Sequence, residues 1–97
     1  MISLYDEKMP IDFDKVILFF SNQDCAPCHM LEKILNSIPN INVIKIDINE
    51  HLELAKSYDV TSIPTLKLFR KTICVYDIKG VRNAKDIVRI LTHFDMI

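Results

Sequence analysis

Two cysteines three positions apart, Cys25 and Cys28, are the residues whose type and spacing most directly suggest chemistry; a third, Cys74, stands alone. An odd count excludes a fully paired intrachain disulfide framework. The pair lies in Cys25-Ala26-Pro27-Cys28, between a short apolar run and a helical stripe, so it falls where a strand passes into a helix. At a helix amino terminus several N–H groups lack partners and the dipole favours negative charge. A cysteine there has its pKa drawn below the free value of about 8.5, so more of it is nucleophilic thiolate at neutral pH. A second cysteine within reach can release a mixed disulfide by attacking the first sulfur, which is what thiol–disulfide exchange requires.

The same residues admit other chemistry. Cys25-Ala26-Pro27-Cys28-His29 also matches the C-x-x-C-H haem-attachment pattern, which calls for export and an all-helical wrap. One C-x-x-C supplies half of a zinc centre, but no second close pair follows, and Cys74, His29, His51 and His93 are scattered. No metal site is therefore expected, although an iron–sulfur cluster shared between two chains through the dithiol stays open. Cys74 reads as an ordinary strand residue.

The elements that must position the pair are legible from periodicity. Val16 to Phe20, the longest apolar run at five residues, reads as a strand buried on both faces, as in a sheet covered by helices. Leu31, Ile34, Leu35 and Ile38 form one helical stripe, with Pro27 in its first turn and Pro39 beyond its end. Val43 to Ile48 alternates as a second strand, followed by a short helix predicted to start at Asn49 and to carry Leu52, Ala55 and Tyr58. Thr65–Phe69 and Ile73–Ile78 are predicted as an antiparallel hairpin joined by Arg70-Lys71-Thr72. Asn83 caps a last helix bearing Ile87, Ile90, Leu91 and Phe94. With a small element at Ile2 to Tyr5, the order is β-β-α-β-α-β-β-α. This is an α/β domain with a central mixed sheet of four to five strands flanked by helices.

Composition narrows the function. The chain has 97 residues, is 49% hydrophobic and 26% charged, and fits a single domain over 1–97. Twelve basic against thirteen acidic side chains argue against nucleic-acid binding by phosphate neutralisation and against a polybasic membrane binder. The apolar run is far below the roughly 20 residues of a bilayer span. The stretch Met1 to Lys8 carries Asp6 and Glu7 and is followed by no apolar core of a signal peptide, so the protein is expected to stay in the compartment where it is made.

Cys25-Ala26-Pro27-Cys28 resembles the Cys-Gly-Pro-Cys active site of the thioredoxin family, with Ala in place of Gly. Pro64, thirty-six residues beyond Cys28 in Ser62-Ile63-Pro64-Thr65-Leu66, matches that family's Ile-Pro-Thr segment. Val43 to Asp47 fits the strand between them, and Gly80 falls where the family places a loop glycine. The resemblance implies a thioredoxin-like fold and a thiol–disulfide oxidoreductase. Cys25 would be the attacking thiolate, Cys28 the buried resolving thiol, and Pro64 would follow a cis peptide bond. Ala26, Pro27, Ile63, Pro64, Gly80 and Val81 would form the docking surface for an extended client segment.

The resemblance also implies a cytoplasmic monomer. It would have no cofactor beyond the Cys25–Cys28 disulfide, client proteins bearing disulfides as substrates, and an NADPH-dependent flavoprotein reductase as electron source. A glutaredoxin-like use of glutathione is the weaker alternative, because no second glycine accompanies Gly80. A binding module that kept the fold without much reductase activity is another. Two departures bear on chemistry. Asp24 replaces the family's Trp before the first cysteine, and its carboxylate opposes the helix dipole. Phe19 occupies the position of the family's buried Asp, leaving Lys45 without its usual partner. Proton transfer at Cys28 then falls to water or to a group the sequence does not identify, His29 being a candidate.

Overall fold

A computed structural model describes residues 1–9 and 14–97. The elements are β1 (Ile2–Leu4), β2 (Lys15–Ser21), α1 (Ala26–Asn36), β3 (Val43–Asp47), α2 (Leu52–Ser57), β4 (Thr65–Arg70), β5 (Ile73–Lys79) and α3 (Ala84–His93). The sheet runs β1-β3-β2-β4-β5. β1 and β2 pair parallel with β3, and β4 is antiparallel to both β2 and β5. The mixed five-stranded sheet matches the expected architecture, and the small first element is a true strand.

β2 lies at the centre, paired on both sides and covered on both faces, which is why Val16 to Phe20 within it is apolar on every residue. Ile17 and Phe19 point to one face, where α1 supplies Leu31 and Leu35 and α3 supplies Ile87 and Leu91. Val16, Leu18 and Phe20 point to the other, against Ala55 of α2 and Ile44 and Ile46 of β3. Asn83 caps α3 as expected, its Oδ1 accepting the Asp86 N–H at 2.8 Å.

Two boundaries differ from the sequence reading. α2 begins at Leu52 rather than Asn49. The Asp47 carboxylate accepts the N–H groups of Asn49 and Glu50 at 2.8 and 3.3 Å, and so holds them in a turn instead of a first helical turn. The β4–β5 connection shortens to Lys71 and Thr72, with Lys71 in the left-handed region at φ 59° and its N–H bonded to the Asp14 carbonyl at 2.7 Å. A register shift opposite Leu68 and Phe69 leaves Val75 as the extra residue of β5.

Candidate active site

The path from sequence to site starts at the end of β2. Buried on both faces and paired on both sides, this strand fixes the point where the chain leaves the sheet and turns into α1. Pro27 lies in the first turn of α1, where its missing N–H costs no hydrogen bond. Cys25 is the N-cap, with extended backbone at φ −106° and ψ 101°. Its Sγ accepts the Cys28 N–H at 3.1 Å, and its carbonyl accepts the His29 N–H at 3.2 Å. A sulfur in this place meets a free N–H donor and the positive end of the helix dipole, and both favour the thiolate.

Cys25 and Cys28 form a disulfide, with Cα atoms 5.2 Å apart. They are unequal in setting. Cys25 is half-buried, whereas Cys28 is only 2% exposed and packs in the cluster that contains Phe19, Leu31 and Leu66. Such a pair can cycle between disulfide and dithiol, one sulfur open to a partner and the other beneath it.

Ala26 and Pro27 are exposed on the cysteine turn. The Ile63–Pro64 bond is cis, as the family resemblance implies. Ile63 and Val81 pack against the cluster that holds Cys28, as does Cys25 itself. Gly80 donates its N–H to the Pro64 carbonyl at 2.9 Å and adopts φ 82°, a conformation that favours glycine although a Cβ would meet open space. Beside Ile63 a recess of about 200 Å³ is lined by Ile48, Leu52, Val60 and Ser62 among others. Asp24 is exposed, its N–H taken by Asn22 Oδ1 at 2.9 Å.

Phe19 is fully buried in the Cys28 cluster, so no carboxylate rises from β2 beneath the pair. Lys45 lacks the family's usual Asp partner, as expected, and its Nζ binds Glu32 Oε1 instead, at 2.6 Å. Glu32 carries no motif that marks it in the sequence, although its spacing of four from Cys28 places it on the same side of α1. His29 is exposed, and its Nε2–H is given to the Gln23 carbonyl at 2.7 Å.

Cys74 is exposed at the far hairpin, and its thiol donates to Asp77 Oδ1 at 3.3 Å. Partial burial, then the Asp77 hydrogen bond and charge, push its pKa above the ordinary thiol value. Burial acts to raise the Asp77 pKa, but hydrogen bonds from Lys67 and Cys74 and the Lys67 charge outweigh it, and the carboxyl is held below its usual range. Among the described residues no three His, Cys, Asp or Glu side chains stand together as a metal site. The strand-rich fold is also not the helical wrap that haem attachment calls for.

Comparison with known proteins agrees with this geometry. The sequence model of the thioredoxin family matches residues 3–93. A thioredoxin-like protein of Synechocystis sp. is 32% identical over 84 residues, covering 81% of this chain and 80% of that protein. A thioredoxin of Chlamydia pneumoniae is 32% identical over 80 residues, 78% of each chain. Among solved structures, a mutant thioredoxin from Halobacterium salinarum superposes with a TM-score of 0.78 at 30% identity, over 84% of this chain and 74% of that one. With the signature segments, the fold and a cysteine pair within bonding distance all in agreement, the chain belongs to the thioredoxin family and is a thiol–disulfide oxidoreductase.

Proposed function

We propose that the protein works as a disulfide reductase of client proteins, with Cys25 as nucleophile and Cys28 as resolving thiol. The observation that carries this assignment is the inequality of the two sulfurs: Cys25 is the half-exposed cap of α1, and Cys28 lies buried one turn in. The Cys25 thiolate attacks a client disulfide, forming a mixed disulfide and expelling one client thiolate. Cys28 then attacks Cys25 Sγ, expelling the second. The client gains two electrons and the dithiol becomes a disulfide.

Ala26, Pro27, Ile63, Pro64, Gly80 and Val81 form the docking surface, and the recess beside Ile63 has the size and apolar lining to take one client side chain. A cytoplasmic monomer recharged by an NADPH-dependent flavoprotein reductase fits this reading. Cytosolic poise, about −220 to −320 mV depending on method, keeps such a dithiol reduced. No helix among the described residues is long and apolar enough to cross a membrane.

Reduction of insulin disulfides by the protein with dithiothreitol tests the activity. The expected result is precipitation of the free insulin B chain well ahead of the dithiothreitol-only control. A rate equal to the control, with client binding intact, would overturn the reductase reading in favour of a binding module.

Asp24 sets the reactivity of Cys25. Its exposed carboxylate lies one residue from the cap and works against the dipole. Asp24→Asn is expected to speed iodoacetamide alkylation of Cys25 about threefold at low salt, the worth of one charge at ~6 Å in water. The gain should shrink as salt screens it. An unchanged or slower rate at low salt would refute the role given to Asp24.

A further inference from the structure

Cys28 in its dithiol state carries a proton that must leave before its sulfur can attack. Its surroundings offer few places for that proton to go. The cluster around it is built from Phe19, Leu31, Leu66 and other apolar side chains, none of which accepts a proton. His29 faces outward and is engaged with Gln23. Ser21 lies two residues beyond Phe19 in β2 with a buried hydroxyl lacking a partner among the described residues, but a neutral hydroxyl passes a proton on without keeping it.

Glu32 is different. It stands one helical turn beyond Cys28, a spacing that places Cβ atoms about 5–6 Å apart on one side of a helix. Helical side chains lean toward the amino terminus, so the Glu32 side chain reaches back over the turn that holds Cys28. Lys45 approaches from the sheet. It pairs in register with Phe19, and parallel neighbours in register project to the same face, the face that carries the Cys28 cluster. The carboxylate from α1 and the ammonium from β3 meet at 2.6 Å, with side chains 31% and 30% exposed. A half-shielded ion pair therefore bridges helix and sheet on the face that carries the Cys28 cluster.

We propose that Glu32 is the general base for Cys28, with Lys45 as the positioning residue that holds its carboxylate; this rests on the exchange mechanism above. As Cys28 Sγ attacks Cys25 Sγ, its proton passes to the Glu32 carboxylate, directly or through one water. The Cys25–Cys28 bond forms, the bond from Cys25 to the client breaks, and the departing client thiolate takes the proton from Glu32. The first client thiolate is protonated from solvent, which received the Cys25 proton. Two electrons and two protons have then moved to the client, and Glu32 is a carboxylate again.

Reaction of the reduced protein with dithiobis(nitrobenzoate) separates the two steps, because attack by Cys25 releases one coloured nitrothiobenzoate and attack by Cys28 releases a second. A Cys74→Ser background removes the remaining exposed thiol. In Glu32→Gln the second release is expected to slow on the order of a hundredfold at neutral pH, the low end for a lost general base. Its rate should rise about tenfold per pH unit as hydroxide takes over, whereas the wild-type profile is flatter. Added acetate should restore part of the rate in Glu32→Ala, and Lys45→Met, which keeps the carboxylate, should slow the second release much less than Glu32→Gln. A second release in Glu32→Gln within twofold of wild type across the pH range would overturn the proposal. So would Glu32→Gln and Lys45→Met behaving alike, since that marks a purely structural pair. If the wild type shows no first release, the exchange reading itself fails, and this proposal fails with it.

Discussion

In a Cys28→Ser protein, mixed disulfides with client proteins are expected to accumulate as high-mass bands that vanish on adding dithiothreitol, while Cys25→Ser traps on the order of tenfold less or nothing. The difference follows from position. Cys25 caps α1, is half-exposed and has the Cys28 N–H aimed at its sulfur, so it attacks whether or not a second thiol lies beneath it. Removing Cys28 deletes only the route by which the mixed disulfide is released. With Cys25 gone, Cys28 remains at 2% exposure and cannot meet a client disulfide. Cys74 does not fill in, because partial burial and its hydrogen bond to Asp77 hold its thiol protonated above the ordinary range. A metal or haem site needs both sulfurs as equivalent anchors and predicts no asymmetry. A binding module predicts capture that survives loss of either thiol. Equal trapping by the two variants would end the nucleophile and resolving assignments.

The second large effect is on stability. Phe19→Ala should cost about 3–5 kcal/mol, the range for emptying a buried aromatic site. Phe19 is fully buried in the middle of the central strand, facing the cluster that gathers side chains from α1, α3 and β4. Neighbours on three elements cannot all collapse into the space it leaves, so most of the cavity persists. Against a total of about 5–15 kcal/mol for a typical domain, this is a large fraction. Urea titration is expected to show a lower midpoint with an unchanged slope, reporting lost stability and not a different unfolded state. A loss below ~1 kcal/mol would mean that the apolar cluster holding Phe19 and Cys28 repacks freely around the lost ring.

Parts of this molecule are readable without a structure because one physical signal dominates them. β2 is apolar at every residue from Val16 to Phe20, and only a strand covered on both faces needs that. α1 carries its stripe at helical spacing, with Pro27 at the one end where proline is harmless. The start of α2 is not legible in the sequence, because the deciding interaction is a side chain of the preceding strand, Asp47, whose turn propensity competes with helix entry. The exposure of Cys74 on β5 leaves no mark in the sequence, because alternation is the same for an edge strand and an inner one. The partner of Lys45 is hidden for a different reason. Glu32 and Lys45 are brought together by the packing of a helix on a sheet, and no periodicity within either element records that meeting. The cis bond before Pro64 is implied by family resemblance and not by local chemistry, which leaves both isomers open.

Cys25 as the N-cap of α1 has a consequence for motion. Ordinary caps such as Asn83 are chemically inert, so the helix they hold keeps the same first turn at all times. Here the capping atom is the proposed reacting atom, and its charge and bonding partner change at each stage of the exchange. The restraint on the first turn of α1 is therefore strongest when the sulfur is an anion and weaker when it is bonded to another sulfur. The opening turn of the helix tightens and loosens in step with electron transfer, so the amide of Cys28 becomes a built-in gauge of redox state.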